Sequence, residues 1–212
     1  QIRTLPCRVI ELATLAHDVM GLQLKLPEGK ALEYLAGQYI DILLRDGRRR
    51  SFSIANRPQV GNNLELHVRL VPNGRFTGHV FNGLKERELL RFQGPFGTFF
   101  LRRESTGPAI LMAGGTGLAP IKAILEEAFH QGIDRTFHLF WGVRAKRDLY
   151  LHDELLSLAR DYANLHYVPV LSEPVADDDW TGETGWVHEA VLKQFPDFED
   201  LEVYASGPPP MI

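Results

Sequence analysis

Ala109-Ile110-Leu111-Met112-Ala113-Gly114-Gly115-Thr116-Gly117-Leu118-Ala119-Pro120 is the stretch on which the fold turns. An apolar run is followed by glycines and then by a helix-like segment, in which Ile121, Ile124, Leu125 and Ala128 recur at helical spacing to about Gln131. Strand, glycine loop and helix in a parallel sheet make a site for dinucleotide phosphates. Bare backbone can approach the phosphate, and the helix start supplies N–H donors with a positive dipole end. The third glycine of the Gly-x-Gly-x-x-Gly fingerprint is missing, and no Gly-Lys-Ser/Thr follows as in a Walker loop. An ordinary structural turn is the alternative reading.

Downstream the same rhythm continues. Thr136 to Trp141, Leu165 to Leu171 and Leu201 to Ala205 read as strands, and His152 to Tyr162 and Val187 to Gln194 as helices. Such alternation predicts an α/β domain with a doubly wound parallel sheet. Three loops follow its later strands: Gly142 to Tyr150, Leu171-Ser172-Glu173-Pro174, and Tyr204-Ala205-Ser206-Gly207-Pro208-Pro209. Ligands bind at that edge of open α/β sheets. Asp177-Asp178-Asp179 reads as a solvated loop.

Upstream the pattern is different. Cys7 to Leu12, Val19 to Leu26, Gln38 to Leu44, Arg50 to Ala55, Leu64 to Leu70 and Glu88 to Phe92 read as short strands. They are divided by the turn-formers Pro27-Glu28-Gly29, Asp46-Gly47, Gly61-Asn62-Asn63 and Pro72-Asn73-Gly74. Six such strands, with one short helix near Thr77 to Leu84, predict an antiparallel Greek-key barrel. The boundary is expected at the polar segment Arg103 to Gly107, which gives a barrel domain over 1–103 and a C-terminally incomplete α/β domain over 108–212.

Two barrel stretches suggest chemistry. In Arg50-Ser51-Phe52-Ser53, alternation puts Arg50 and Phe52 on one face and the two hydroxyls on the other. A cation, an aromatic plate and hydroxyls suit a ligand with an anionic tail and a flat polar ring. Gly74-Arg75-Phe76-Thr77 opens the short helix, and Thr77 would cap it or bond a phosphate. Together with Arg50 this turn could hold a pyrophosphate.

The totals exclude several classes. A net charge of −4 argues against a general nucleic-acid binder, and no apolar run approaches the roughly 18 residues of a membrane span. The single cysteine, Cys7, excludes an internal disulfide, and it excludes an iron–sulfur cluster held by four cysteines within these residues. A reducing, cytoplasmic compartment is expected. Histidines are scattered without metal spacing, so no metal site is expected. The chain starts at Gln1 rather than Met and stops at Pro210-Met211-Ile212, just after a Gly-Pro turn, so it is expected to be part of a longer polypeptide.

As a set these residues resemble the ferredoxin–NADP reductase superfamily over essentially the whole chain. The resemblance rests on Arg50-x-Phe52-Ser53, Gly74-x-x-Thr77, Gly114-Gly115-Thr116-Gly117-x-x-Pro120, Trp141-Gly142-x-Arg144 with Asp148-Leu149-Tyr150, and Ser206-Gly207-Pro208-Pro209-x-Met211. Among its members the chain looks most like bacterial NADH-dependent reductases: CDP-6-deoxyglucoseen reductases, oxygenase reductase components and flavin reductases. The resemblance implies that Arg50 pairs with the pyrophosphate of FAD, Phe52 packs on the isoalloxazine, and Ser53 bonds near its N5. It implies that His67, Val68 and Arg69 run past the flavin, while Gly74, Arg75, Phe76 and Thr77 cradle its phosphates. Gly114 to Gly117 would face the nicotinamide nucleotide, with Thr116 between the two cofactors. Arg144, Asp148 and Tyr150 would lie towards its adenosine. Ser206 stands where many relatives carry Cys, close to the nicotinamide, beside Gly207 and Pro208.

The activity so implied is hydride transfer from NADH to bound FAD in the groove where two domains meet, with Ser53, Thr116 and Ser206 nearest the reacting rings. Single electrons would then pass to a ferredoxin-type [2Fe–2S] centre on a missing segment or a partner protein. NADH is expected over NADPH, because Glu173 follows Ser172 where NADPH-using relatives often place Arg. Its carboxylate repels a 2′-phosphate and can accept from a ribose hydroxyl. Arg144, Lys146 and Arg147 count against that expectation. A free-flavin reductase, and an FAD-binding electron-transfer subunit with no substrate of its own, stay open as alternatives.

Overall fold

The computed structural model describes residues 2–58 and 63–211; the expected turn at Gly61-Asn62 lies outside them. By contact the chain divides into two compact units, Gln1–Leu101 with Ala119–Gln131, and Arg102–Leu118 with Gly132–Ile212.

The first unit is built on six strands: β1 (Arg3–Ala16), β2 (Val19–Lys25), β3 (Tyr39–Leu43), β4 (Arg49–Ser53), β5 (Asn63–Arg69) and β6 (Leu89–Phe96). They pair antiparallel in the order β4-β3-β6-β1-β2-β5. The outer strands meet as well, since Ile54 bridges Leu66 and the Ala55 N–H donates to the Glu65 carbonyl at 2.8 Å. The sheet is therefore a closed barrel, which removes free edges. Period-two positions fill it: Leu5, Cys7 and Val9 on β1, Leu22 and Leu24 on β2, Leu64, Leu66 and Val68 on β5. Each such burial contributes about 2 kcal/mol. Helix α1 (Arg75–Asn82) adds Phe76 and Val80, one helical turn apart, to the same core. Burial pushes the Cys7 thiol up to about 12, so it is an inert core residue.

Strands β1 and β6 run further than their hydrophobic pattern announces. Arg3 to Arg8 pairs with Gly94 to Leu89, and Tyr39 with Phe96. The extra residues are held by main-chain ladder bonds, which leave no trace in side-chain alternation.

In the second unit β7 (Ala109–Gly114), β8 (Phe137–Val143), β9 (Leu165–Leu171), the two-residue β10 (Glu183–Thr184) and β11 (Glu202–Ser206) form an all-parallel sheet, ordered β10-β9-β8-β7-β11. All six residues of β7, an interior strand between β8 and β11, are buried, which explains its unbroken apolar run. Helix α3 (His152–Asp161) packs against β9, and α4 (Val187–Gln194) lays Val187, Ala190 and Val191 on Ile110, Phe140 and Val170. The chain winds outward from β7 to β10 and then returns to β11 on the other side of β7. The strand order thus reverses between β7 and β11.

The segment expected to mark the boundary is pinned. Arg135, 3% exposed, pairs with Glu202 at 2.9 Å and donates to the Gly107 carbonyl. Tyr204 donates to the same carboxylate at 2.6 Å and accepts from the Arg102 N–H at 3.0 Å. Helix α2 (Leu118–His130), which continues the glycine loop, is counted with the barrel. There Ala123 and Ile124 pack on Ala36, Phe99 and Leu101. No helix among the described residues is long and apolar enough to cross a membrane.

Candidate functional site

On β4 the expected alternation holds: Arg50 and Phe52 are half-buried, Ile54 is fully buried and Ser51 is exposed. Ser51 Oγ donates to Asp41 Oδ1 at 2.7 Å, and Arg50 Nη1 donates to the Arg49 carbonyl at 2.7 Å. Half-buried Ser53 ends the strand opposite Tyr39. The Phe52 ring lies 5.6 Å from the Phe76 ring, tilted by 49°. Arg75 lies 3.5 Å from Asp46, in the turn joining β3 to β4. These two contacts seat the Gly74–Thr77 turn beside Arg50–Ser53, although β5 separates them in sequence.

At the start of α1 the N-cap is Gly74, and it makes no side-chain cap. Thr77 does not supply one: its Oγ1 accepts the Val71 N–H at 3.1 Å. A Cβ on Gly74 would meet that hydroxyl at 2.5 Å and the Val71 carbonyl at 2.9 Å. The turn must stay bare, and the first N–H groups of the helix are left for an anion. On β5, Val68 points into the core, Arg69 Nε pairs with Asp18 at 2.9 Å, and the fully buried His67 ring meets Glu65 Oε1 at 2.8 Å.

The sequence reading did not anticipate what surrounds that histidine. Lys122 of α2 lies 3.2 Å from Glu65 and 2.7 Å from Glu126, and donates to the Ala55 carbonyl at 3.1 Å. Glu126 accepts the Arg57 N–H at 3.0 Å, while Asn56 Oδ1 accepts the Glu65 N–H at 2.8 Å. The Tyr34 hydroxyl donates to the Arg57 carbonyl at 2.9 Å. Burial would raise the Glu65 carboxyl, but the His67 hydrogen bond and the Lys122 charge outweigh it and hold the carboxyl down to about 2. Burial likewise works against the Lys122 ammonium, yet the two carboxylates keep its pKa above the usual lysine value. Two sequence signals were available, Glu65-x-His67 on one strand face and Lys122 four residues before Glu126 on one helix face. Neither says that β5 meets α2.

In the second unit the glycine loop sits at the carboxyl end of β7, where the strand order reverses and open sheets take their ligands. Gly115 has φ +54°, a backbone that disfavours other residues. Gly114 is packed by Met211 and Pro208, and a Cβ on Gly117 would overlap the Ser206 carbonyl. Two of the three glycines therefore let the turn after β11 close on the loop. Half-buried Thr116 and Ser206 lie on these apposed segments, and Pro120 is buried in the helix that follows. Trp141 Nε1 donates to the Gly115 carbonyl at 2.9 Å, and Tyr150 stacks edge-on against Trp141, ring centroids 5.1 Å apart.

The loops after β8 and β9 are zipped together. Ser172 N–H donates to the Val143 carbonyl at 2.9 Å and Glu173 N–H to the Arg144 carbonyl at 2.7 Å. Asp148 accepts the Ala145 N–H at 3.2 Å and lies 3.5 Å from Arg144 Nε. The Asp177-Asp178-Asp179 loop is not uniformly solvated. Asp178 is buried, with both neighbours exposed.

Comparison with known proteins matches residues 6–101 to the oxidoreductase FAD-binding domain and residues 111–212 to the oxidoreductase NAD-binding domain. The chain belongs to the ferredoxin reductase-like family of FAD- and NAD-binding oxidoreductases. Over 212 residues it is 44% identical to the CDP-6-deoxy-L-threo-D-glycero-4-hexulose-3-dehydrase reductase of Yersinia pestis, covering 100% of this chain and 63% of that protein. It is 37% identical to the phenol 2-monooxygenase reductase component DmpP of Pseudomonas sp. (strain CF600), over 96% of this chain and 58% of that one. The crystal structure of the Amycolatopsis cytochrome P450 reductase GcoB superposes with a TM-score of 0.91 at 33% identity, over 99% of this chain and 63% of that one. The chain thus spans less than two thirds of the length of these relatives.

The donor sets suit both of the family's cofactors. The uncapped turn at Gly74 beside the Arg50 cation offers what a diphosphate needs, and the glycine loop at the strand-order reversal offers backbone to a nucleotide.

Proposed function

We propose that residues 1–103 hold FAD, residues 108–212 hold NADH, and the chain is the reductase module of an electron-transfer system. The observation that carries this is the Phe52–Phe76 contact, which sets a bare helix start next to a strand bearing Arg50. When bound, the nicotinamide supplies a hydride, and the flavin accepts it and passes electrons on singly. The protein's part is placement. Arg50 and the N–H groups after Gly74 hold the diphosphate, and Phe52 is kept by Phe76 as a rigid flank for the ring. In the first unit Ser53 would supply a hydroxyl to the flavin, and in the second Thr116 and Ser206 would supply hydroxyls to the nicotinamide nucleotide. The electrons would leave to a ferredoxin-type [2Fe–2S] centre, carried on a segment outside these residues or on a partner protein. With one buried cysteine, the chain suits the reducing cytoplasm.

Stopped-flow mixing with NADH tests this. A yellow chromophore absorbing near about 450 nm, as flavins do, is expected to bleach within the dead time or in a fast phase. A preparation that stays colourless after incubation with FAD would remove the basis for the reading.

We further infer NADH over NADPH. Glu173 is exposed, and its backbone is fixed by Arg144, so its carboxylate stands at the end of β9. There it can accept from a ribose hydroxyl and repels a 2′-phosphate. The ratio kcat/KM is expected to favour NADH by at least about tenfold, a difference of about 1.4 kcal/mol. Equal values would show that Glu173 does not meet the ribose.

A further inference from the structure

The two nicotinamide nucleotides differ only at the adenosine 2′ position, and a cation free to reach it would admit the phosphate. Three cations follow β8: Arg144, Lys146 and Arg147. The structure takes Lys146 out of that set. Its backbone N–H donates to Asp178 Oδ2 at 3.2 Å, and its ammonium donates to the Asp178 carbonyl at 3.1 Å. One residue therefore holds both ends of this lysine.

Asp178 is itself firmly placed. It is 9% exposed, whereas Asp177 and Asp179 lie in solvent. Its Oδ2 also accepts the Val175 N–H at 3.1 Å, and its own N–H donates to the Val175 carbonyl at 3.0 Å. Those two bonds close the single 3-10 turn Ala176–Asp178, and Asp179 leaves it at φ +45°. The turn follows directly on Ser172-Glu173, whose backbone is tied to Val143 and Arg144. The lysine is thus held by the same loop that carries Glu173.

We propose that Asp178 is a specificity-positioning residue: it holds Lys146 away from the adenosine 2′ position, so that the site takes a ribose hydroxyl and rejects a 2′-phosphate. The inference rests on reading these loops as the adenosine end of the coenzyme site. To serve a phosphate, Lys146 would have to give up the Asp178 carbonyl, and the turn that presents this carbonyl is fixed by the Asp178 side chain. Glu173 then acts by direct repulsion and Asp178 by withholding the compensating charge.

Calorimetric titration of the intact, flavin-loaded protein with 5′-ADP and 2′,5′-ADP tests this without turnover. Wild type is expected to bind 5′-ADP more tightly. Lys146→Met is expected to leave 2′,5′-ADP affinity within about twofold, because the lysine does not reach the phosphate. Asp178→Ala keeps the carbonyl but removes the side-chain bonds to Val175 and Lys146 that fix the turn presenting it. With the turn loosened, Lys146 can swing to the phosphate, and 2′,5′-ADP is expected to bind about tenfold more tightly, the worth of one charge-assisted contact, with 5′-ADP nearly unchanged. Asp178→Asn keeps an acceptor oxygen and should behave as wild type, and adding Lys146→Met to Asp178→Ala should erase the gain. A loss of 2′,5′-ADP affinity in the single Lys146→Met variant would overturn the proposal even if Asp178→Ala fails to fold. So would a gain in Asp178→Ala that survives removal of the lysine. If wild type bound neither nucleotide, the assignment of the adenosine end would itself fall, a result distinct from both.

Discussion

Gly117→Ala is expected to leave the flavin chromophore in place while slowing its bleaching by NADH at least about 100-fold. The added methyl would overlap the Ser206 carbonyl and come within 2.5 Å of the Ser206 carbonyl carbon and 2.8 Å of Gly207 Cα. These are backbone atoms at the end of β11, held in register against β7 by Ser206 opposite Ala113. Neither side can yield as a flexible side chain would, so the turn after β11 must move off the glycine loop. Overpacking of this kind costs about 1–3 kcal/mol, and displacement of reacting groups by about 1 Å can cost 10²-fold in rate. The damage is confined to the second unit, so FAD retention and NADH reduction should separate. Measured together, the 450 nm spectrum and the stopped-flow rate decide it. Normal bleaching kinetics would mean that the close approach of loop and turn is not needed for hydride delivery.

Lys122→Met is expected to lower stability by about 3 kcal/mol at pH 7, because it leaves Glu65 and Glu126 next to each other without their shared cation. Lys122 and Glu65 are each only 20% exposed, so solvent screens them weakly. Chemical denaturation should show the loss, and Glu65→Gln added to Lys122→Met should recover part of it. Glu65, held down first by the His67 hydrogen bond and then by the Lys122 charge, also sets a pH dependence. The folded-state pKa of Glu65 is depressed to about 2 from 4.5, so its contribution is present above the unfolded value and is lost as pH falls from about 5 to about 2. Acid should therefore destabilise wild type more steeply than Lys122→Met. Parallel pH profiles for the two would show that the pairing does not stabilise the fold.

The pairing of β5 with α2 also shows where sequence reading reaches its limit. Glu65 and Lys122 are 57 residues apart, and a charged residue on a strand or helix reads as solvated until its neighbour is known. The same holds for Asp178. Three aspartates in a row look like exposed loop, yet the middle one is buried, and its carboxylate accepts the Lys146 N–H, which only the fold brings to it. Thr77 looked like a cap for α1 and instead supports Val71, because main-chain geometry, not residue type, chose its partner. The ladder extensions of β1 and β6 and the two-residue β10 were silent for a related reason: backbone hydrogen bonds carry no side-chain signature.

Other features were legible because their causes are local. Period-two burial in the first half, the unbroken apolar β7, the glycine loop and the strand–helix alternation all follow from side-chain size, apolarity and backbone freedom within a few residues of each other. From those alone came a barrel followed by a parallel sheet, and the motifs that marked the family. Tertiary structure decided which residues meet: Phe52 with Phe76, Gly117 with Ser206, Lys122 with Glu65, Lys146 with Asp178. Local chemistry determines which elements form. The pairing of distant groups depends on how those elements are laid against one another, and no stretch of the chain carries that information by itself.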